Sequence, residues 1–422
     1  MKLLSLAARN LLRNRRRTAI SLVALVVGVG AMVGLRGFIN GQQRAMLENL
    51  VYGQVGAVQV HRTGYLANVQ GSPLTLDMAD SEEVRRRIAS VPGVTTVSPR
   101  IVFGGMLSLP DVEGAEGEEA AGKTGFLQLT AYDPALEPQV TPQRSKWLGK
   151  GAHLSGVDAA ELLLNADMAR SLATEVTGAR VPSERWPALL SADRDGALNG
   201  EGVRISGTLV SATPGDRRLG YVPLGTAQRL LRMEGRVTEY ALAVSRLEDA
   251  PRVRDALKAA LGPEYEVHTW DEVLPFLKQL LGHQDFIFGI MTSVFLLTVL
   301  LGIVNVMLMN VLERVREIGT MLAVGTRRRQ VVALFLLEGA VLGLVGGLLG
   351  ALVGGAVTLW LGHRGILLPA PGAQADSIIR PFVSVLYLVR AVGMATVGAS
   401  LAALWPAYRA AQLRPVEALA HS

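Results

Sequence analysis

Cysteine is absent from the 422 residues, which excludes disulfides, thiolate metal sites and cysteine nucleophiles. The redox compartment stays open, since oxidising compartments do not require cysteine. The six histidines are scattered, without the H-E-x-x-H spacing that sets two ring nitrogens on one helical face around zinc. No G-x-S-x-G nucleophile elbow occurs, and carboxylate pairs such as Glu82 and Glu83 read as solvated helical faces. No catalytic, cofactor-binding or metal-ligating residue is assigned, and the chain is expected to do no covalent chemistry itself.

One motif match tests that reading. Gly117 to Thr124, "GEEAAGKT", fits G-x-x-x-x-G-K-[ST] letter for letter, the pattern of a loop whose backbone N–H groups and lysine cradle nucleotide phosphates. Such a loop follows a buried strand and opens a helix. Here an acidic stretch containing Glu116, Glu118 and Glu119 precedes a strand-like "GFLQLTAY", so an exposed loop is the expectation.

Long apolar runs are what the chain has in abundance. Half of its residues are hydrophobic, and a membrane helix needs roughly 20 mostly apolar residues. Four segments meet that need: residues 18–39, 285–312, 330–361 and 381–405. Arginines and lysines cluster in residues 1–17, 313–329 and 406–422, which the positive-inside rule places in the cytoplasm with both termini. Residues 40–284 and the loop 362–380 then lie outside. Residues 40–284 carry 25 Lys and Arg against 30 Asp and Glu, a net of −5, while the rest of the chain is +11. The basic balance therefore follows membrane orientation and argues against nucleic acid as a partner. Residues 1–17 read as an amphipathic interfacial helix and not as a cleaved secretory leader.

Residues 40–284 are long enough for a folded α+β domain. "GAVQVHR", "TTVSPRIVFGGMLSL", "GFLQLTAYD", "GVRISGTLVSA" and "TEYALAVS" alternate as strands, with "SEEVRRRIASV", "LGTAQRLLRM" and "DAPRVRDALKAALG" as helices. Two α/β portions flanking a less regular insertion at about 145–200 are predicted. "TWDEVLPFLKQLLGHQDF" is expected to run as one helix into the second span. In the third span Gly339, Gly343 and Gly347 form one small-xxx-small row and Gly346, Gly350 and Gly354 another, with Gly30 and Gly34 a shorter version in the first; such rows let membrane helices approach closely. Glu338 is expected to pair locally, and Arg36 and Arg390 to snorkel to the outer interface.

"ERVREIGTMLAVGTRRRQVVALFLLEG" and the C-terminal "PAYRAAQLRPVEAL" resemble signatures of the FtsX-like permease superfamily, which includes MacB-type exporters and Lol lipoprotein-releasing permeases. Gly37 to Tyr65 resembles the segment that follows span one in Lol-type members, although "LLLNADMARSLATEV" lacks the glycines usual in that region. The resemblance implies four spans with a large periplasmic α+β domain between the first two, in the bacterial inner membrane. It also implies that residues 313–329 form a coupling helix, with Glu313, Arg314, Arg316, Glu317, Ile318, Gly319, Met321, Leu322, Ala323 and Gly325 facing a separate cytoplasmic ABC ATPase in two copies. ATP and Mg would sit on that ATPase, with no cofactor on this chain. A second permease subunit, as homodimer or heterodimer, the lipid membrane and a periplasmic lipoprotein carrier are the further expected partners. Extraction of lipoproteins from the inner membrane is the expected function. MacB-like export of peptides or small molecules through an outer-membrane partner and FtsX-like signalling to a cell-wall hydrolase are the alternatives.

Overall fold

The computed structural model describes residues 15–110, 123–178, 181–210, 216–368 and 377–412. The expected interfacial helix, the phosphate-loop match and the second half of the C-terminal motif lie wholly or largely outside these. The chain divides into two compact units, a helical one of residues 1–43, 280–366 and 378–422 and a sheet-bearing one of residues 44–279 and 367–377.

Among the described residues, four helices are long and apolar enough to cross a membrane. Span one lies in α1 (Arg15–Leu50), which is followed by a single π-helical turn, Val51–Val55. The sheet-bearing unit then contributes β1 (Val58–Arg62), β2 (Met78–Ala79), α2 (Glu82–Ala89), β3 (Val94–Ser108), β4 (Thr124–Tyr132), α3 (Glu137–Val140), β5 (Leu148–Gly151), β6 (Glu161–Asn165), α4 (Ala166–Ser171), β7 (Ala188–Ala192), β8 (Leu198–Gly202), β9 (Arg204–Leu209), β10 (Leu219–Pro223), α5 (Leu224–Leu231), β11 (Arg236–Val237), β12 (Glu239–Val244), α6 (Ala250–Leu261), β13 (Tyr265–Thr269) and α7 (Trp270–Val273). The remaining helices are α8 (Pro275–Glu313, span two), α9 (Val315–Ala323), α10 (Arg328–Arg364, span three), α11 (Val385–Ala402, span four) and α12 (Leu404–Ala411).

Eleven strands form one sheet, in the order β13-β1-β12-β3-β4-β10-β6-β9-β5, with β7 joining β3 to β8. Two pairs, β4 with β10 and β6 with β9, are parallel; the others are antiparallel. This corrects the expected insertion. Residues 145–200 supply β5 to β7 and most of β8, and "ELLLN" of β6 is buried at every position between β10 and β9. A strand covered on both faces reads as a continuous apolar run, which sequence periodicity does not separate from a helix. The expected helix from Trp270 into span two is also interrupted: α7 ends at Val273, Leu274 leaves the helical region, and Pro275, which has no N–H to give, opens α8. Span four begins later than expected, at Val385, where Ser384 Oγ accepts the Tyr387 N–H at 3.3 Å; α11 ends at Ala402, and the apolar span continues through the short α12 to Ala411.

Behind the apolar core of the sheet-bearing unit sits a buried charge cluster. Glu137, almost fully enclosed, accepts from Arg100 Nη2 at 2.6 Å, Arg100 Nε at 3.0 Å, Arg144 Nη1 at 2.8 Å and the hydroxyls of Ser98 and Thr141. Arg100 Nη1 also donates to Glu239 at 3.1 Å and to the carbonyl of Gln54 at 3.0 Å, while Arg144 donates to the carbonyls of Gly53 and Gln54 at 2.9 and 3.0 Å. The Arg144 guanidinium lies 4.3 Å from the ring centroid of Tyr221, a cation–π position. The π-helical turn after α1 is thus held to the sheet by its carbonyls.

Burial would raise the Glu137 pKa, but Arg100 and Arg144 outweigh it and hold the carboxyl below its ordinary range. A carboxylate depressed in the folded state stabilises that state above the unfolded pKa, near ~4.3, and loses the contribution as pH falls toward the native value. The stability of the full chain in detergent, followed by tryptophan fluorescence in urea, is therefore expected to be level down to about pH 5 and to fall below it. Glu137→Gln should cost about 3–5 kcal/mol at neutral pH by leaving two buried guanidinium groups undercompensated, and an unchanged urea midpoint would contradict this account of the cluster.

Candidate functional site

The charged segment between spans two and three is shorter as a helix than expected. It breaks at Arg314, whose φ of −108° and ψ of 16° leave the helical region, and α9 covers only Val315–Ala323. Gly325, with φ of +100°, ends it: Thr326 N–H donates to the Met321 carbonyl at 3.0 Å and Gly325 N–H to the Leu322 carbonyl at 3.1 Å. This paired closure needs a left-handed residue that glycine supplies without strain. Gln330 Oε1 then accepts the Arg327 N–H at 2.9 Å and starts α10.

The predicted coupling residues divide between two faces. Ile318 and Gly319 are buried, and Ile318 joins Val311, Val331, Phe335, Ala407 and Ala410 in a small core. Leu322 packs against that core, while Met321 and Glu317 are half-buried. Glu313, Arg316, Ala323 and Gly325 are exposed. Arg314 departs from the expectation that it faces outward. Its side chain is 13% exposed, with Nε donating to Glu317 at 3.0 Å and Nη1 to Glu338 at 3.2 Å. Glu338 is 2% exposed on span three, so a carboxylate that would be costly alone in hydrocarbon is neutralised by an arginine from the helix break.

Two residues escaped the sequence reading. Thr320 and Val324 are exposed, Val324 at 84%, and they complete a stripe with Arg316 and Ala323 at helical spacing. The signal lies in the i, i+4, i+8 series Arg316, Thr320 and Val324, of which Arg316 alone carries a charge.

The glycines of span three face two neighbours. A Cβ on Gly339 would lie 2.8 Å from the Ala399 carbonyl oxygen, and one on Gly343 2.7 Å from that of Ala395; Gly347 follows against Ala395 and Val392. The second row turns to span one, with Gly346 against Leu25, Gly350 against Val29 and Gly354 against Gly30, whose carbonyl oxygen a Cβ would approach to 2.7 Å. Gly30 in turn faces the Gly350 carbonyl at 3.5 Å. Gly34 does not take part as expected, because nothing lies within 4 Å of a Cβ built there. Among the described residues no group of three or more His, Asp or Glu side chains is placed to share a metal ion.

These distances predict a graded response. Gly343→Ala and Gly350→Ala should each lower stability by about 1–3 kcal/mol, because the added methyl meets backbone or a Cβ that cannot move aside. Gly34→Ala should leave it unchanged. Thermal unfolding of the three variants in detergent checks this, and equal behaviour of all three would contradict it.

Residues 18–260 match the MacB-like periplasmic core domain family, and residues 289–415 the FtsX-like permease C-terminal family. The chain is 26% identical over 96% of its length to a macrolide export ATP-binding/permease protein MacB of Nitrobacter winogradskyi, covering 58% of that protein. It is likewise 26% identical over 96% of its length to a pyoverdine export ATP-binding/permease protein PvdT of Pseudomonas aeruginosa, covering 57% of it. The chain thus spans a little over half the length of these curated relatives. A crystal structure of the periplasmic region of MacB from Actinobacillus actinomycetemcomitans aligns with 55% of the chain and 97% of its own length, at 12% identity and a TM-score of 0.35. By the two family matches, which together take in the first span, the sheet-bearing unit and the last three spans, this chain belongs to the MacB/FtsX-type permeases, a family of multi-pass membrane proteins.

Proposed function

We propose that this chain is the inner-membrane subunit of an ABC transporter. ATP hydrolysis, expected on two copies of a separate cytoplasmic ATPase, would move α9, and the cargo would be an acylated polypeptide drawn from the bilayer between spans one and two. The observation that carries the cargo reading is a small apolar crevice of about 20 Å³ at that seam, lined by Leu25 and Met32 of span one, Phe295 and Leu300 of span two and Ala391 and Met394 of span four. Its walls are almost wholly carbon, the chemistry an acyl chain would meet if the seam widened. The exposed stripe of Arg316, Thr320, Ala323 and Val324 supports the ATPase reading, since an apolar side chain beside a cation at the end of a short helix suits docking to a partner.

A second reading has its own support. The relatives named as macrolide and pyoverdine exporters align with 96% of this chain, which favours export of a small molecule or peptide with an outer-membrane partner.

Purification of the chain in mild detergent, followed by mass spectrometry, separates these. Recovery of an ABC ATPase with an acylated polypeptide is the expected result; an ATPase with an outer-membrane channel component and no acylated cargo would move the assignment to export. Arg316→Glu combined with Val324→Asp should weaken ATPase association by about tenfold or more while membrane insertion persists. Undiminished association in that variant would remove α9 as the docking element.

A further inference from the structure

Span one is fastened differently on its different sides. Against span three, Gly30 meets Gly350 and Gly354 at backbone distance. Against the segment that leads into span four, Phe382 N–H donates to the Gly37 carbonyl at 3.1 Å, Asn40 Nδ2 donates to the Phe382 carbonyl at 3.1 Å, and a Cβ on Gly41 would lie 2.7 Å from the Arg380 carbonyl oxygen. Against span two the contact is made by side chains, with Val299 seated where a Cβ on Gly28 would lie. It contains the small apolar crevice, and span two is the least enclosed of the four described spans.

A charged contact crosses this seam at one end. Arg36 Nη1 lies 2.7 Å from Asp285 Oδ1, and Gln43 Nε2, two turns further along the same face of α1, donates to the same oxygen at 3.3 Å. The Arg36 guanidinium also lies 5.0 Å from the ring centroid of Phe288, and that buried ring lies 6.4 Å from Tyr387 on span four. Arg36 therefore does not simply snorkel, as its position in the sequence suggested. Asp285 stands immediately before the uncharged run of span two. In water a half-exposed pair of this kind contributes little, but beside hydrocarbon each charge loses a solvent when it loses its partner.

We propose that Arg36 and Asp285 are positioning residues that hold the seam between spans one and two closed, so that parting the two charges lets the apolar crevice at the seam widen to admit an acyl chain. The purpose assigned to this closure rests on the acylated-cargo reading above. The closure itself is tested without ATPase or cargo.

The chain has no cysteine of its own, so Val27→Cys and Leu297→Cys, at positions 63% and 58% exposed on the two spans, allow spin labels to report their separation. The labelled chain, diluted with unlabelled chain in lipid nanodiscs, should give one short distance. Asp285→Asn and Arg36→Gln should each raise a longer-distance population on the order of fivefold, whereas Asp285→Glu, which keeps the charge, should leave the distribution as it was. An unchanged distribution in both neutral variants overturns the proposal, and so does a shift in Asp285→Glu equal to that in Asp285→Asn. Failure to recover an acylated polypeptide would remove the cargo reading while leaving this result standing.

Discussion

Within a bilayer, helices gain nothing by hiding apolar surface from lipid, and cohesion depends on how closely their backbones can approach. Span three meets that constraint on two sides at once. One glycine row admits span four and the other admits span one, each to distances that leave no room for a Cβ. The placement of span three then fixes Glu338, Glu338 fixes Arg314, and Arg314 fixes where span two ends and α9 begins. The break between those two helices is thus set by an ion pair reaching back into the bundle, and the missing side chains of span three and the charged turn beside it belong to one arrangement.

The sheet-bearing unit solves a different problem with the same residue type. The carbonyls of Gly53, Gln54 and Val55 end a π-helical turn and would lie buried without helical partners. Arg100 and Arg144 supply the donors, and Glu137 and Glu239 offset the charge that this brings inside. A neutral donor could satisfy one carbonyl; a guanidinium reaches several in a fixed plane. Replacing the cluster by apolar side chains would remove the arginine donors from the carbonyls of Gly53 and Gln54, which accounts for charge at a place where hydrophobic packing would otherwise serve as well.

Much of this architecture was legible in the sequence because it rests on periodicity and composition. The four spans, the strands β1, β3, β4, β9 and β12, the helices α2, α5 and α6 and the two glycine rows of span three all announce themselves by spacing. What was not legible depends on partners distant in sequence. β6 reads as a Leu-Ala framework until β10 and β9 are seen on either side of it. Arg314 sits in a run of charged residues and looks no different from Arg316, yet one turns inward to Glu338 and the other outward. Arg36 and Asp285 are separated by 249 residues, and neither stands in a motif. Gly34 failed for the converse reason, since its spacing from Gly30 was right but no helix faces it.

The order of strands in the sheet bears on how the chain is made. β1 is synthesised soon after span one, yet one of its two neighbours is β13, whose partner residues lie about 200 positions later, just before span two. Closing so long a loop is entropically slow and waits for the last strand to emerge. Until then β1 presents an unpaired edge, and once β13 has arrived the ribosome is already delivering span two. Completion of the sheet and entry of the second span into the membrane therefore fall close together during translation, so that a delay in one exposes an unfinished edge in the other.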